Sequence, residues 1–379
     1  MNKATIQTIS IWGSTGIIGS KACKIAKQSG FKIISLVGNK NYQKLIEQAK
    51  LYEPQYVGVY DPKAFEIVKE SLNSSQTEVL PGSEFENLAK IETDCCIMAI
   101  SGSSAIKPTF DCLGHAKRLA IASKEAIICG GELLIKMAKQ LGTEIIPVDS
   151  EHSSIFQCLI GESKKDILEI ILTASGGPFI DFEEKDLEKV TIEDALKHPN
   201  WNMGKKITID SATLINKALE IIEAAFLFDA DVDKVRPLIH PESIIHGLVK
   251  FNDNSLKAAL AFPDMTFPIS YAINYPNRKT CDLSPLDFEK LAKLHFRKPK
   301  SWQERNMKLA YQAFNERKVI AFNTANEIAV SKFLNGELKF KDIYGFVSEV
   351  LENTNSEKAE SIDGIFQIID FVKRNYNCN

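Results

Sequence analysis

Six apolar runs recur along the first part of the chain: TISIWG, FKIISLVG, YVGVYD, CCIMAI, RLAIAS and TEIIPVD. Between them lie polar stretches whose apolar residues return every three or four positions, such as NYQKLIEQAKLYEP and PKAFEIVKESL, the period of an amphipathic helix. Strands that are apolar throughout, rather than alternating, belong in a sheet covered on both faces. The pattern predicts an α/β domain over residues 1–149, built on a doubly wound parallel sheet.

The texture changes near Ile167. ILEIILTAS reads as a strand ending at a glycine pair, and SATLINKALEIIEAAFLF reads as one long helix with Ser211 near its start. SIIHGLVKF and SLKAALAF, separated by the turn-rich NDN, predict an antiparallel pair. Residues 150–274 are therefore expected to form an α+β central domain. NYPNRKTCDLSPLDF has two prolines and little periodicity, and marks a linker over 275–300. SWQERNMKLAYQAFNERK, AFNTANEIAVSKFLNG, FKDIYGFVSEVLENT and SIDGIFQIIDFVKRN all keep helical period, so 301–379 is expected to be a helical C-terminal domain.

Composition narrows the function classes. A chain of 379 residues is too long for one ordinary core. Its 44% hydrophobic and 25% charged residues are those of a globular protein. A formal net charge of -3 offers no basic footprint for nucleic acid. No apolar run approaches the ~20 residues that cross a bilayer, and no secretory signal precedes the first strand. The eight cysteines show no CxxC spacing and fall mostly in apolar stretches, as reduced core residues do. The cytoplasm is the expected compartment.

Against that background a few polar residues stand out. IIPVDSEH ends an apolar run with Asp149 and Glu151, which in an extended chain would share one face. A cation between them would relieve the repulsion; a solvated strand end is the plainer reading. WGSTGIIGS sets Gly13, Gly16 and Gly19 between the first strand and the first helix, where backbone N–H groups meet a dinucleotide phosphate in Rossmann-like domains. A plain tight turn fits the same residues. The second strand ends in Asn39, Lys40 and Asn41 with no acid, which suits the 2′-phosphate of NADP better than NAD, although Lys40 also fits as an ordinary surface lysine. Helical spacing puts Asn216, Lys217 and Glu220 on one face, either a solvated pair or, with Ser211, an anion site beside a metal-binding acid. Trp201, in the polar loop HPNWNMGKK, suits a lid over a substrate or a place in a neighbouring core. Lys124 and Glu125 follow an apolar strand at the edge where doubly wound sheets bind ligands. His152, His198, His240 and His246 taken singly are more often structural than catalytic.

In order along the chain, GSTGIIGS, SKE, PVDSEH, TASGGPF, HPNWNMGKKITIDSATLINKALEIIEA, IHPESIIHGLV and NTANEIAV resemble the 1-deoxy-D-xylulose 5-phosphate reductoisomerase family. The likeness covers essentially the whole sequence. It implies NADPH and a divalent metal (Mg2+, Mn2+ or Co2+) as cofactors, with Asp149, Glu151 and Glu220 as metal ligands. It places substrate at Lys124, Ser150, Glu151, Ser175, His198, Trp201, Ser211, Asn216, Lys217 and Glu220, the phosphate lying among Ser175, Ser211, Asn216 and Lys217. It places NADPH at Thr15, Gly16, Ile17, Ile18, Asn39, Lys40, Asn41, Ser123, Glu125 and Gly204. Trp201 and Met203 would belong to a closing loop over 198–206. Lys124, Glu151, His152 and Glu220 are the expected catalytic residues, with the individual proton donors left open. Family members commonly have asparagine at Ser123, glycine at Asn39 and serine at Ile17. The implied reaction rearranges the carbon skeleton of the phosphosugar and reduces the resulting aldehyde with hydride from NADPH. A homodimer joined through the middle domain is implied, with no nucleic acid or membrane partner. A dehydrogenase of another small substrate would not need three acids converging on a metal, and a nucleotide-sensing module would not need the phosphate cluster.

Overall fold

The computed structural model describes residues 7–199, 201, 203–356 and 358–376. Asn200 and Asn202 of the expected loop, and Cys378, lie outside the described residues. The chain divides into two compact units. One comprises Met1–Ala126, Leu134–Ser153 and Met265–Leu283, the other Ile127–Leu133, Ser154–Asp264 and Ser284–Asn379.

The first unit is built on seven parallel strands: β1 (Thr8–Trp12), β2 (Lys32–Gly38), β3 (Tyr56–Val59), β4 (Glu78–Pro81), β5 (Thr93–Met98), β6 (Ala116–Ile121) and β7 (Glu144–Pro147). Their order across the sheet is β4-β3-β2-β1-β5-β6-β7, with the reversal between β1 and β5. That is the switch point at which ligands bind in doubly wound sheets. The central strands are buried on both faces, as continuous apolar runs require: Ile9, Ile11, Leu36, Ile97 and Leu119 have no exposed surface. Six of the seven strands coincide with predicted runs. The exception, β4, is a four-residue edge strand in which only Leu80 is buried, too little apolar signal to stand out. Helix Thr266–Asn274 packs against helix Ile17–Gln28 and completes this unit.

The second unit holds a mixed sheet ordered β11-β10-β8-β9, from β8 (Ile167–Ala174), β9 (Val235–Ile239), β10 (Ile245–Phe251) and β11 (Leu256–Leu260). β10 runs antiparallel to β8 and β11, and β9 parallel to β8. The predicted β10–β11 hairpin is present. β9 was not predicted because Pro237 interrupts it; it survives as an edge strand, where a missing N–H is tolerated. Helices Ser301–Asn315, Val319–Leu334, Ile343–Asn353 and Ile362–Tyr376 form the helical region predicted from the C-terminal periodicity.

The long helix expected over Ser211–Phe228 is instead two. Leu214 adopts a left-handed conformation, φ 58°, which ends helix Lys205–Thr213 and starts helix Ile215–Phe228. Leucine has no sequence signature for such a break, since apolar periodicity runs through it. The second helix is buried nearly all round, including Lys217, Glu220 and Glu223. Among the described residues six cysteines are buried, one is partly exposed, and none is disulfide-bonded. No described helix is long and apolar enough to cross a membrane.

Candidate active site

The glycine turn of the first unit is shaped by two close approaches. Gly13 has φ 81°, and a Cβ there would lie 2.3 Å from the Ala99 carbonyl oxygen. A Cβ on Gly19 would lie 2.2 Å from the Gly13 carbonyl oxygen. Both positions exclude any side chain. Gly16 is the N-cap of helix Ile17–Gln28 and is exposed, as is Ile17; the Gly16 N–H donates to the Gly13 carbonyl at 3.1 Å. Thr15 and Ile18 are half-buried beside them. Asn39, Lys40 and Asn41 lie exposed immediately after β2, and Asn41 Oδ1 caps helix Tyr42–Tyr52 by accepting from the Lys44 N–H at 3.2 Å. Ser123 is buried, and its hydroxyl donates to the Ile100 carbonyl. Its one proton is thus directed inward, and only its lone pairs remain for other partners.

At the far edge of the same sheet, the expectation that Asp149 and Glu151 lie on an extended strand is corrected. β7 ends at Pro147, and helix Ser150–Cys158 begins at once. The Asp149 carbonyl accepts from the Ser153 N–H at 2.8 Å, so Asp149 precedes the helix and Glu151 stands in its first turn. Two neighbouring carboxylates are favoured there by the partial positive charge of the helix N-terminus. Lys124 Nζ lies 2.7 Å from Asp149 Oδ2, and Ser150 Oγ donates to Glu151 Oε2 at 2.5 Å. Lys124 and Glu125 open helix Lys124–Leu141 and are both buried. His152 Nδ1 stands 3.9 Å from Asp149 Oδ2. Lys124, Asp149, Ser150, Glu151 and His152 are therefore grouped in the first unit.

The second unit gathers the remaining candidates around the break at Leu214. β8 ends at Ala174, and the chain turns through Gly176 and Gly177 with φ 88° and 65°. A Cβ on Gly177 would lie 2.8 Å from the Ser211 carbonyl oxygen, so this glycine lets the turn rest on helix Lys205–Thr213. Ser175 Oγ lies 3.2 Å and Ser211 Oγ 3.1 Å from His198 Nε2. The Trp201 N–H donates to His198 Nδ1 at 3.0 Å. Burial pushes the His198 ring down to about 4, so it is neutral at physiological pH. The Trp201 and His246 rings meet edge to face, centroids 6.4 Å apart. Met203 is half-buried, and the exposed Gly204 is the N-cap of helix Lys205–Thr213.

Ser211 was expected near a helix start; it lies in the last turn of helix Lys205–Thr213. Asn216 and Lys217, in the first turn of the next helix, occupy the favourable N-terminus instead. Asn216 Nδ2 donates to Glu220 Oε1, and the Lys217 ammonium donates to Glu220 Oε2. Lys217 is 2% and Glu220 1% exposed, so this is a buried ion pair rather than a solvated one.

Some supporting residues were not singled out from the sequence. Asp210, next to Ser211, is 1% exposed and is held by Lys206 Nζ and Asn326 Nδ2, each at 2.8 Å. Asn306 Nδ2 donates to the Thr213 carbonyl at 2.9 Å. Asn326 belongs to NTANEIAV, a segment with two asparagines on a mainly apolar helix; that buried-polar pattern was the available signal.

Comparison with known proteins agrees along the chain. Family models described as 1-deoxy-D-xylulose 5-phosphate reductoisomerase match residues 9–131, and its C-terminal domains match 145–228 and 260–375. A protein of that name from Clostridium tetani is 41% identical over 384 residues, covering 98% of this chain and 100% of its own. Another, from Caldanaerobacter subterraneus, is 41% identical over 364 residues, covering 94% and 95%. The reductoisomerase of Zymomonas mobilis in complex with NADPH superposes with TM-score 0.93 at 33% identity, covering 98% of both chains. A DOX-P reductoisomerase in complex with NADPH, fosmidomycin and magnesium gives 0.93 at 34% identity, again covering 98% of both.

Proposed function

The chain belongs to the 1-deoxy-D-xylulose 5-phosphate reductoisomerase family, and on that premise we propose which of its residues hold each reactant. It is an NADPH-dependent oxidoreductase that, with a divalent metal, converts 1-deoxy-D-xylulose 5-phosphate into 2-C-methyl-D-erythritol 4-phosphate, a step of non-mevalonate isoprenoid biosynthesis.

Residues 1–149 bind NADPH. Thr15, Gly16, Ile17 and Ile18 line the site of its phosphates; Asn39, Lys40 and Asn41 hold the 2′-phosphate end, and Ser123, Glu125 and Gly204 the nicotinamide end. Residues 150–274 carry the catalytic machinery, 275–300 link it onward, and 301–379 are the helical support. The phosphate of the substrate lies among Ser175, Ser211, Asn216 and Lys217, with His198 beside them. Asp149, Glu151 and Glu220 take the metal. The donor set fits: these are carboxylate oxygens, which Mg2+ and Mn2+ prefer, and Asp149 and Glu151 sit together at a helix N-terminus. When bound, the metal acts as a Lewis acid on the substrate's oxygens while NADPH supplies hydride. Lys124 and Ser150 orient the reacting end of the substrate, and Lys124 and His152 are the groups able to move protons there. Phosphate contacts remote from the reacting carbons hold the substrate in register. Trp201 covers the substrate and excludes water. The protein works as a homodimer in the cytoplasm, joined through the middle domain.

The observation that carries these roles is the donor cluster of the second unit: two serine hydroxyls on one imidazole, followed by the buried Lys217–Glu220 pair. The test follows NADPH consumption with 1-deoxy-D-xylulose 5-phosphate and Mg2+, with and without chelator, beside Glu220→Gln. Oxidation that requires substrate and metal and is lost in the variant is expected. Oxidation that persists in chelator would sink the metal assignment. Light scattering of the purified protein checks the dimer.

A further inference from the structure

Building on the phosphate reading above, we propose that His198 is a positioning residue that acts through both ring nitrogens in one fixed tautomer, tying the Trp201 segment to the phosphate-binding serines. The Trp201 backbone N–H donates to Nδ1 at 3.0 Å. A main-chain N–H can only donate, so Nδ1 presents a lone pair, and the proton of the neutral ring sits on Nε2. Nε2 lies 3.2 Å from Ser175 Oγ and 3.1 Å from Ser211 Oγ, and its N–H is therefore a donor shared by two hydroxyl oxygens. Ser175 Oγ also accepts from the Gly177 N–H at 3.3 Å. A hydroxyl has one proton and two lone pairs. With lone pairs engaged by the ring and the Gly177 amide, the serine protons point elsewhere, as donors.

The hydrogen bonds thus run in one direction, from the Trp201 amide through the imidazole into two hydroxyls. That direction makes Ser175 and Ser211 donors to a phosphate oxygen, which can only accept. The opposite tautomer would set an Nδ1–H against the Trp201 N–H and draw a serine proton toward Nε2, away from phosphate. Burial of the ring, which pushes it down to about 4, keeps it uncharged and Nδ1 able to accept. The Trp201 ring, seated on His246, is carried by the same bond.

Two substitutions separate the halves of the ring. In His198→Asn the amide oxygen stands near the Nδ1 position and still accepts from Trp201, but the Nε2 donor is gone. In His198→Gln the amide nitrogen reaches the Nε2 position and still donates to the serines, but the Nδ1 acceptor is gone. A lost hydrogen bond of this kind is worth about tenfold. His198→Asn is expected to raise KM for 1-deoxy-D-xylulose 5-phosphate about tenfold and to keep the change in Trp201 emission on substrate binding. His198→Gln is expected to keep KM within about threefold, lower kcat about tenfold and lose that emission change. Trp201→Phe assigns the signal against the buried Trp12 and Trp302. Thermal melts and NADPH affinity of both variants, close to wild type, exclude misfolding. Equal effects of the two variants on KM and emission, or the reverse pattern, would overturn the proposal. Should wild-type protein fail to turn over this substrate, the functional reading falls instead. The tautomer is then read directly from the 15N shifts of His198, and a protonated Nδ1 would sink it.

Discussion

The anion sites proposed for the two units are of opposite construction. In the first, the backbone would do the binding: Gly13 and Gly19 let the turn close against Ala99 and against itself, and Gly16 and Ile17 at the helix N-terminus are exposed. In the second, side chains would do it: Ser175 and Ser211 meet on His198, and Asn216 and Lys217 follow a break held by a left-handed leucine. The difference explains what each site tolerates. An isoleucine at position 17, where the family often has serine, would keep a backbone N–H contact but not a side-chain hydroxyl contact. A substitution at Lys217 or Ser211 would not be neutral on this reading, because the proposed donor there is the side chain itself.

The sharpest way to break that contrast is to attack the side-chain site at its buried charge. Lys217→Met removes an ammonium from Glu220, a carboxylate 1% exposed. Stripping one member of a buried pair costs about 3–5 kcal/mol. Urea unfolding should show that loss, and kcat/KM should fall by about a thousandfold or more, since a phosphate contact and the neighbouring acid are disturbed together. The double variant Lys217→Met/Glu220→Gln should recover part of the stability and none of the activity. A Lys217→Met protein as stable as wild type would mean that the pair contributes little to the fold.

Next in size is the backbone site. Gly13→Ala forces a Cβ to 2.3 Å from a carbonyl oxygen at φ 81°, whereas the nearest contact at Gly16 is 3.3 Å. A strained position of this kind costs about 1–3 kcal/mol. NADPH binding, followed by fluorescence, should weaken about tenfold or more in Gly13→Ala and by no more than about threefold in Gly16→Ala. Equal losses would show that the turn depends on flexibility rather than on close approach.

The same contrast accounts for what could be read in the sequence. The parallel sheet was legible because strands buried on both faces must be apolar throughout, and Ile9, Leu36 and Ile97 are. Helical spacing put Lys217 and Glu220 on one face, and they do share it, as a buried pair. What was hidden is what local pattern does not encode. The break at Leu214 follows from tertiary packing on an apolar residue without turn chemistry. The helix at Ser150 starts only two residues beyond the apolar strand, so the extended reading ran on through Asp149 into the helix's first turn. β9 was hidden by Pro237, and β4 by its length. The buried network at Asp210 needs Asn326, 116 positions away.

That network allows a smaller test of how the side-chain site is supported. Asn326→Ala removes the donor at 2.8 Å from Asp210 Oδ1 and leaves Lys206 as its partner in the ion pair. The expected cost is about 1–3 kcal/mol in urea unfolding. Because Ser211 adjoins Asp210, KM for the substrate should rise by about threefold while NADPH affinity in the first unit stays unchanged. A parallel loss of NADPH affinity would indicate general loosening rather than a local support for Ser211.

The smallest expected effect is on pH dependence and singles out His198. Its folded value of about 4 lies below the ordinary 6.5, with burial as the cause. Between those values the unfolded chain binds a proton that the folded chain does not, so stability rises with pH across the window. The contribution is complete above about 6.5 and is lost as pH falls through about 4. The ring is only half-buried, so solvent weakens the effect and the slope should stay well under one full proton. Urea midpoints measured across this window should fall less steeply with acid in His198→Asn than in wild type. The glycine turn of the first unit has no titrating group among Gly13–Gly19, so Gly16→Ala should retain the wild-type slope. Identical slopes in wild type and His198→Asn would mean that the imidazole is already solvated, and the neutral ring of the phosphate site would have to be explained by its hydrogen bonds alone.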